Sequence, residues 1–334
     1  MIRETEGYRG VWIFAEQRKG KLLEVSLELL DGGRELANKL GVDLSAVLLG
    51  HNAGELAKEL IAYGADNIHL VSHPLFEFYQ SGAYTKVMTD LVNQHKPEIL
   101  LVGATAIGMD LAPRVAVKLK TGLSAHVVKL EIDEKRQLRQ IVPGFGGKVM
   151  AVVICPTHRP QMTTVRPGVF RKPIRDESRK GNIVKVDVDI AEDDLRARTI
   201  QTVEEKPKEK PLEGAEIVVA GGWGMRAVGD FKPVRELAAL LGASVGGTRP
   251  AADEGWITEE QIIGQSGKTV RPKLYIGLGI SGEMHHTVGI LDSGVIVAVN
   301  NDENAPIFQV ADLGIVGDLR EVLPHLLKEF ERTR

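Results

Sequence analysis

From Val11 onward, short apolar runs alternate with longer amphipathic stretches, and the amphipathic stretches repeatedly stop at a glycine. Val11 to Phe14 reads as a strand, and Leu22 to Leu40 has apolar residues at helical spacing before Gly41, which can take the left-handed C-cap conformation. Ser45 to Leu49 is the next strand, followed by a helix from about Ala53 to Tyr63, then Gly64, then a strand at Ile68 to Val71. A further helix spans Tyr84 to Gln94, and Pro97 introduces the strongly apolar Ile99 to Gly103. Strands separated by helices need crossover connections, so the pattern predicts a mainly parallel sheet covered on both faces. The stretch from Leu123 to Pro173 breaks the rhythm with β-rich runs at Val127 to Ile132 and Lys148 to Ile154. These predict an antiparallel extension of the sheet.

Between Glu204 and Pro211 the sequence reads EEKPKEKP, and alternating charge with two prolines cannot pack a core. It reads as a semi-rigid linker and the place for a hinge, with a long surface loop as the alternative. The α/β rhythm then restarts with strands at Glu216 to Ala220, Leu274 to Gly277 and Val295 to Asn300. Helices are expected at Val234 to Leu241, Met284 to Leu291 and Leu319 to Arg332. The expected organisation is an N-terminal α/β domain over 1–203, a linker over 204–212 and a C-terminal doubly wound domain over 213–334.

Charge narrows the choice of partner. Lys plus Arg total 42 against Asp plus Glu 45, so nothing in the bulk electrostatics favours nucleic acid or an anionic membrane. No run is apolar enough for a membrane span, so direct membrane insertion is not expected. Cys155 is the single cysteine, which excludes an internal disulfide, a cysteine metal cage and a resident iron–sulfur cluster, and it fits a reducing cytoplasm. A soluble, cytoplasmic protein is the expectation. The 36 glycines beside 5% aromatics ask for many tight turns and close backbone approaches.

Those glycines cluster where the second domain needs them for a ligand. Gly221, Gly222 and Gly224 follow a strand end directly, where backbone N–H groups can face a phosphate, although the spacing is not GxGxxG. A glycine-rich turn is the alternative. In LYIGLGISGEMHHTVG, a strand runs into Gly277, Gly279 and Gly282, and Ser281 precedes a helix carrying His285 and His286. Small residues at the carboxyl end of a parallel strand mark a nucleotide crevice. Adjacent histidines point to different helix faces and make a poor chelating pair, so no metal site is expected. Asn300 and Asp318 stand at strand ends and suit ribose and adenine hydrogen bonding, with turn and N-cap chemistry as the alternative.

The run PKLYIGLGISGEMHH, followed by NNDENAPIFQVADLGIVGDL, resembles the C-terminal FAD-binding signature of the electron transfer flavoprotein alpha subunit. TRPAADEGW around Arg249, GQSGKTVRP around Ser266 and MDLAPRVAVKLKTGLSA from Met109 belong to the same pattern. The resemblance implies a second domain that cradles an extended FAD and a first domain that packs with a beta subunit, itself holding a second FAD or AMP. It places Thr248 and Arg249 against the isoalloxazine or its phosphates, and Ile263, Gly264, Gln265 and Ser266 near the reactive ring nitrogen. Gly279, Ser281, Gly282, Glu283, Met284, His285 and His286 would line the pyrophosphate and ring edge, while Asn300, Asp318 and Leu319 would hold the adenosine end. Two departures stand out. Trp223 occupies a position where the family usually has arginine, and GISGEMHH replaces GISGAIQH, so Glu283, Met284 and His285 are atypical while His286 is kept.

With no general base required, the resemblance implies relay of single electrons through an anionic semiquinone, stabilised by Arg249, Ser266 and a hydrogen-bonding His286. The text VPGFGGKVMAVVICPTHRPQMTTVRPGVF is closest to alpha subunits of the electron-bifurcating branch. That implies an NADH-dependent complex serving one low-potential and one high-potential acceptor. The implied partners are the beta subunit, an acyl-CoA dehydrogenase or quinone oxidoreductase, and a ferredoxin as a separate protein. Three other readings stay open: a conventional respiratory alpha subunit, an NAD-dependent oxidoreductase, and a non-catalytic adenine-nucleotide scaffold.

Overall fold

The computed structural model describes residues 7–144, 149–190, 197, 199–203, 210–212 and 214–333. The chain divides into two compact units, the first ending at Thr202 and the second starting at Val203. Residues 204–209 of the expected linker lie outside the described residues.

The first unit is built on a seven-stranded sheet. Its order is Asn182–Lys185, Asn67–Ser72, Leu44–Gly50, Val11–Ala15, Ile99–Gly103, Gln161–Val165 and Leu123–Val127, and every neighbouring pair is parallel. Val11–Ala15, Leu44–Gly50 and Ile99–Gly103 are buried along their whole length, as strands covered on both faces must be. Helix Glu24–Leu40 ends at Gly41 with φ 64°, where the Gly41 N–H reaches the carbonyls of Ala37 and Asn38. This is the glycine stop read from the sequence.

The expected antiparallel extension is instead a separate three-stranded sheet of Lys129–Ile132, Leu138–Gly144 and Val149–Val153. Leu123–Val127 and Gln161–Val165, which flank it in the chain, join the main sheet in parallel. The cause is local. His126 has φ 56°, its N–H bonds the Thr164 hydroxyl at 3.0 Å, and the pairing shifts register between Thr163 and Val165. An irregularity of this kind bends a strand out of its sheet.

The second unit has a five-stranded parallel sheet ordered Ser244–Gly247, Ile217–Gly221, Leu274–Leu278, Val295–Asn300 and Leu313–Val316. Helices Lys232–Leu241 and Leu319–Thr333 pack on it. GGWGM leads first into a 3-10 turn, Trp223–Ala227, before the expected helix begins. The helix expected over Met284 to Leu291 is one turn, Met284–Thr287. Past it, Gly289 lies so close to Gly264 that an added Cβ would stand 2.6 Å from the Gly264 nitrogen, and the chain turns away.

Both parallel sheets have a point beside their first strand where the winding direction reverses. In the first unit the reversal lies between Val11–Ala15 and Ile99–Gly103, and in the second between Ile217–Gly221 and Leu274–Leu278. Loops at the carboxyl ends of strands diverge at such a point, which leaves room for a ligand.

Candidate functional site

At the reversal in the second sheet the loops open into a cavity of about 940 Å³. The loop after Ile217–Gly221 brings Trp223, Gly224, Arg226 and Ala227 to it, and the loop after Leu274–Leu278 brings Gly279, Ile280, Ser281 and Glu283. Thr248, Arg249 and Pro250 follow Ser244–Gly247, while Asn300 and Asn301 follow Val295–Asn300. Asp318, Leu319 and Arg320 close one end, and Ile263, Gln265, Ser266, His285 and His286 form another wall. The structure thus gathers most of the residues singled out from the sequence.

Of the residues that the resemblance assigns to the cofactor, Gly264, Gly282 and Met284 do not line the cavity, nor do the strand-end glycines Gly221, Gly222 and Gly277. Gly264, at φ 126°, would place a Cβ 2.2 Å from the His285 carbonyl oxygen. Gly282, at φ 88°, would place one 2.0 Å from the Ile307 nitrogen. These glycines are needed for contact of protein backbone with protein backbone, not to leave room for a ligand. The side chain of Met284 is 39% exposed, away from the wall.

His286, expected to hydrogen-bond the cofactor, lines the cavity and is also held by protein partners. It is buried, with Nδ1 3.0 Å from the Ile263 carbonyl and Nε2 2.7 Å from the Tyr275 hydroxyl. A carbonyl only accepts, so Nδ1 carries the proton and donates to Ile263, and the Tyr275 hydroxyl donates to Nε2. Burial pulls the His286 pKa down to about 4, against a smaller opposite effect of the Ile263 carbonyl, and keeps the ring neutral. Burial also pushes the Tyr275 phenol far up, so it stays a donor. Both ring nitrogens are used inside the protein.

His285, by contrast, is exposed, and its Nδ1 donates to Gln265 Oε1 at 2.7 Å. The backbone N–H of Gln265 returns a 2.7 Å bond to the His285 carbonyl. The two histidines together therefore tie the 263–265 segment to the turn that carries them.

Positive charge comes from three guanidinium groups, Arg226, Arg249 and Arg320. Arg226 was not anticipated. It stacks on the Trp223 ring at 5.1 Å and returns a cation to the rim where Trp223 stands in place of the family's arginine. The sequence offered only the spacing, an arginine three positions after a tryptophan; the 3-10 turn Trp223–Ala227 is what brings the two together. Arg249 is about half exposed and reaches Glu259 only at 3.9 Å. Arg320 grips Asp318 through Nε and Nη2, and this holds the Asp318 pKa down at about 2. Asn300 Nδ2 donates to the Ile280 carbonyl at 2.9 Å and its Oδ1 accepts from the Asp302 N–H at 3.0 Å. Both residues perform the turn and cap chemistry that was the alternative reading, and both still face the cavity.

These residues fit an extended dinucleotide. Cations stand ready for a pyrophosphate, close glycine turns bring backbone to the rim, and the Thr248 hydroxyl is a buried polar atom with no hydrogen-bond partner. Among the described residues no group of acidic, histidine and cysteine side chains could hold a metal ion, and no helix is long and apolar enough to cross a membrane.

Comparison with known proteins agrees with this site. Residues 11–191 match the electron transfer flavoprotein domain, and residues 211–291 match the electron transfer flavoprotein FAD-binding domain. The chain is 49% identical to the electron transfer flavoprotein subunit alpha of Thermoanaerobacterium thermosaccharolyticum, across 98% of this chain and 99% of that protein. It is 47% identical to protein FixB of Clostridium saccharobutylicum, across 96% of each. It is also 42% identical to the acryloyl-CoA reductase electron transfer subunit beta of Anaerotignum propionicum, across 97% of this chain and 96% of that protein. Two family matches in order along the chain and relatives similar over nearly its full length agree with the sheet and cavity: the chain belongs to the electron transfer flavoprotein alpha-subunit family, and FAD is the cofactor of this subunit.

Proposed function

We propose that this chain is the FAD-holding half of a heterodimer that relays single electrons within an NADH-dependent, electron-bifurcating complex. The observation that carries the reading is the cavity at the second sheet's reversal, with its three guanidinium groups and the unpartnered Thr248 hydroxyl. FAD, when bound, supplies the electron-transfer chemistry. The chain's own work is to bind, orient and tune. Arg226 and Arg320 suit the phosphates, and Asn300, Asp318 and Leu319 suit the adenosine end. Arg249, with Gln265 and Ser266, suits the ring, where a guanidinium favours the more negative, reduced cofactor.

The first unit supports a protein partner. Among the described residues strand Val149–Val153 pairs on one side only, with Leu138–Gly144, and exposes Val149, Met150, Val152 and Val153 on its two faces, followed by Ile154. An apolar, unpaired edge of this kind is avoided on free surfaces, and an electron transfer flavoprotein beta subunit is the occupant we infer. The beta subunit would contribute the second FAD or AMP. A relative named for acryloyl-CoA reductase supports an acyl-CoA dehydrogenase or reductase as an electron partner, with a quinone oxidoreductase as the other candidate and ferredoxin as the low-potential acceptor.

The test is to purify the chain with its beta subunit. It should carry flavin, and NADH should reduce ferredoxin only when a high-potential acceptor is also present. Ferredoxin-independent electron flow from an acyl-CoA dehydrogenase would instead assign the conventional respiratory role. A flavin-free complex that binds NAD would overturn the reading.

A further inference from the structure

We propose that Glu283 is the opposing charge of the cofactor site, a carboxylate on the cavity wall that holds the flavin's reduction potential below the value its arginines alone would set. The inference rests on the FAD reading of the cavity and concerns the fixed charge around it.

Three guanidinium groups and two carboxylates line the cavity: Arg226, Arg249 and Arg320 with Glu283 and Asp318. Their partners differ. Asp318 takes Nε and Nη2 of Arg320, so those two charges largely cancel at a distance. Arg249 reaches Glu259 only at 3.9 Å, and Glu259 stands outside the lining. Arg226 lies over the Trp223 ring. Glu283 is exposed and forms no ion pair or side-chain hydrogen bond among the described residues. The wall thus carries two positive charges that no lining carboxylate pairs with, and one negative charge that no lining guanidinium pairs with.

The ordinary role for an acid at this position is a helix cap, and the geometry excludes it. Glu283 is the N-cap residue of the turn Met284–Thr287, yet its side chain makes no cap hydrogen bond. The main chain fixes the residue instead. Its carbonyl accepts from the His286 N–H at 2.9 Å and the Thr287 N–H at 3.1 Å. On the other side the Ser281 carbonyl accepts from the Ile307 N–H at 3.0 Å, and Gly282 packs its backbone against Ile307. Position 283 is therefore held at the wall while its carboxylate does nothing for the turn.

A carboxylate on the wall of a site for a pyrophosphate-bearing cofactor works against binding, since like charges repel. Where reduction leaves the cofactor more negative, the same repulsion grows. A fixed negative charge then disfavours the reduced cofactor, just as a fixed positive charge favours it. Arg226 and Arg249 raise the potential and Glu283 lowers it. An electron carrier must release electrons as well as accept them, and Glu283 supplies the charge that opposes their retention.

The experiment is a potentiometric titration, followed in the visible spectrum, of the flavin in the purified heterodimer at one pH. The proteins compared are wild type, Glu283→Gln, Glu283→Asp, Glu283→Lys and Glu331→Gln. Glu283→Gln keeps the shape and removes the charge, and should shift the one-electron equilibrium roughly 3- to 10-fold toward reduction, or ~28 to ~59 mV upward. Glu283→Lys should move it further in the same direction, and Glu283→Asp should stay near wild type. Added salt should narrow the gap between Glu283→Lys and wild type. Glu331→Gln removes the same charge about 18 Å along the last helix from Leu319, and should leave the potential where it is. Equal potentials for wild type, Glu283→Gln and Glu283→Lys, with flavin bound, overturn the inference while leaving FAD in place. So does a Glu283→Asp potential that matches Glu283→Gln, because it would report shape rather than charge. A shift confined to a second flavin held by the beta subunit overturns it as well. A complex without flavin absorbance overturns the cofactor reading instead.

Discussion

The molecule contains two parallel sheets, each with a reversal of winding beside its first strand, and the second keeps its crevice open. In the first unit the crevice between Val11–Ala15 and Ile99–Gly103 is filled from within. Glu16 is buried and accepts a bond from the Thr105 hydroxyl, which itself caps the Gly108 N–H at the start of helix Ala106–Leu119. Ser26 bonds the Glu16 carbonyl at 2.9 Å, and Val25 lies against Gly103. A carboxylate stands where an anion would otherwise meet the helix N-terminus. In the second unit the equivalent loops carry Gly222, Gly224 and Gly279, which pack backbone on backbone and send no side chain into the gap. A parallel sheet with a reversal offers a place for a ligand, and the residues just beyond the strand ends decide whether protein or ligand fills it.

Breaking the open crevice should have the largest effect. Gly264→Ala puts a Cβ into the His285 carbonyl at a φ of 126°, so the clamp on the 263–266 wall must move. The strain and the clash together should cost about 3 kcal/mol or more, or roughly 100-fold in FAD affinity, measured by flavin fluorescence on dilution. Arg249→Ala removes one partly exposed charge and should loosen FAD by about 10-fold. It should also lower the flavin midpoint potential, because a cation that favours the reduced form is gone. Arg226→Ala should weaken FAD by a smaller factor, roughly 3- to 10-fold, and the loss should shrink at high salt because the group is exposed. An unchanged affinity would show that the stack on Trp223 is a surface feature only.

The closed crevice can be tested by its acid. Burial raises the Glu16 pKa, the Thr105 hydroxyl bond lowers it less, and Oε1 has no hydrogen-bond partner, with Arg18 at 3.8 Å. The folded state therefore resists ionisation more than the unfolded chain does. Glu16→Gln should match wild type in acid and exceed it once pH has risen past the Glu16 titration, with a melting temperature roughly 2–4 °C higher at neutral pH. Equal melting curves at neutral pH would argue that the carboxylate is well solvated.

The smallest effect sharpens the comparison from a shared feature. Each unit buries a histidine with a pKa near 4: His286 in the second, and His69 in the first, where burial acts first and the neighbouring His95 second. Both pKa values lie below the unfolded value, so the stability held at neutral pH is lost as pH falls from about 6.5 toward 4. His69 Nδ1 is buried without a partner, whereas both nitrogens of His286 are bonded. His69→Gln and His286→Gln should each flatten the acid limb of the unfolding curve, and only His286→Gln should disturb the cofactor site.

The alternation of apolar runs with glycine-stopped amphipathic stretches was enough to predict two parallel α/β sheets, since a parallel strand buried on both faces can be little else. The signature from Leu274 to Leu319 likewise pointed to loops that line the cavity, because strand ends and small residues are local properties of the chain. The exit of the antiparallel strands was not legible, as it depends on the positive φ at His126 and a register shift against a strand nearly 40 residues away. Arg226 escaped notice for the same reason, since only the 3-10 turn brings it back over Trp223. The two histidines make the point most directly. Their adjacency in sequence showed that they face different ways, but their chemistry depended on a tyrosine eleven positions upstream of His286 and a carbonyl at Ile263. Sequence alone determined which strands and loops this chain has, because periodicity and turn chemistry are written residue by residue. Only the tertiary structure decided which loops line the open crevice and which imidazole has both its nitrogens bonded, because burial and hydrogen-bond partners come from distant segments packed together.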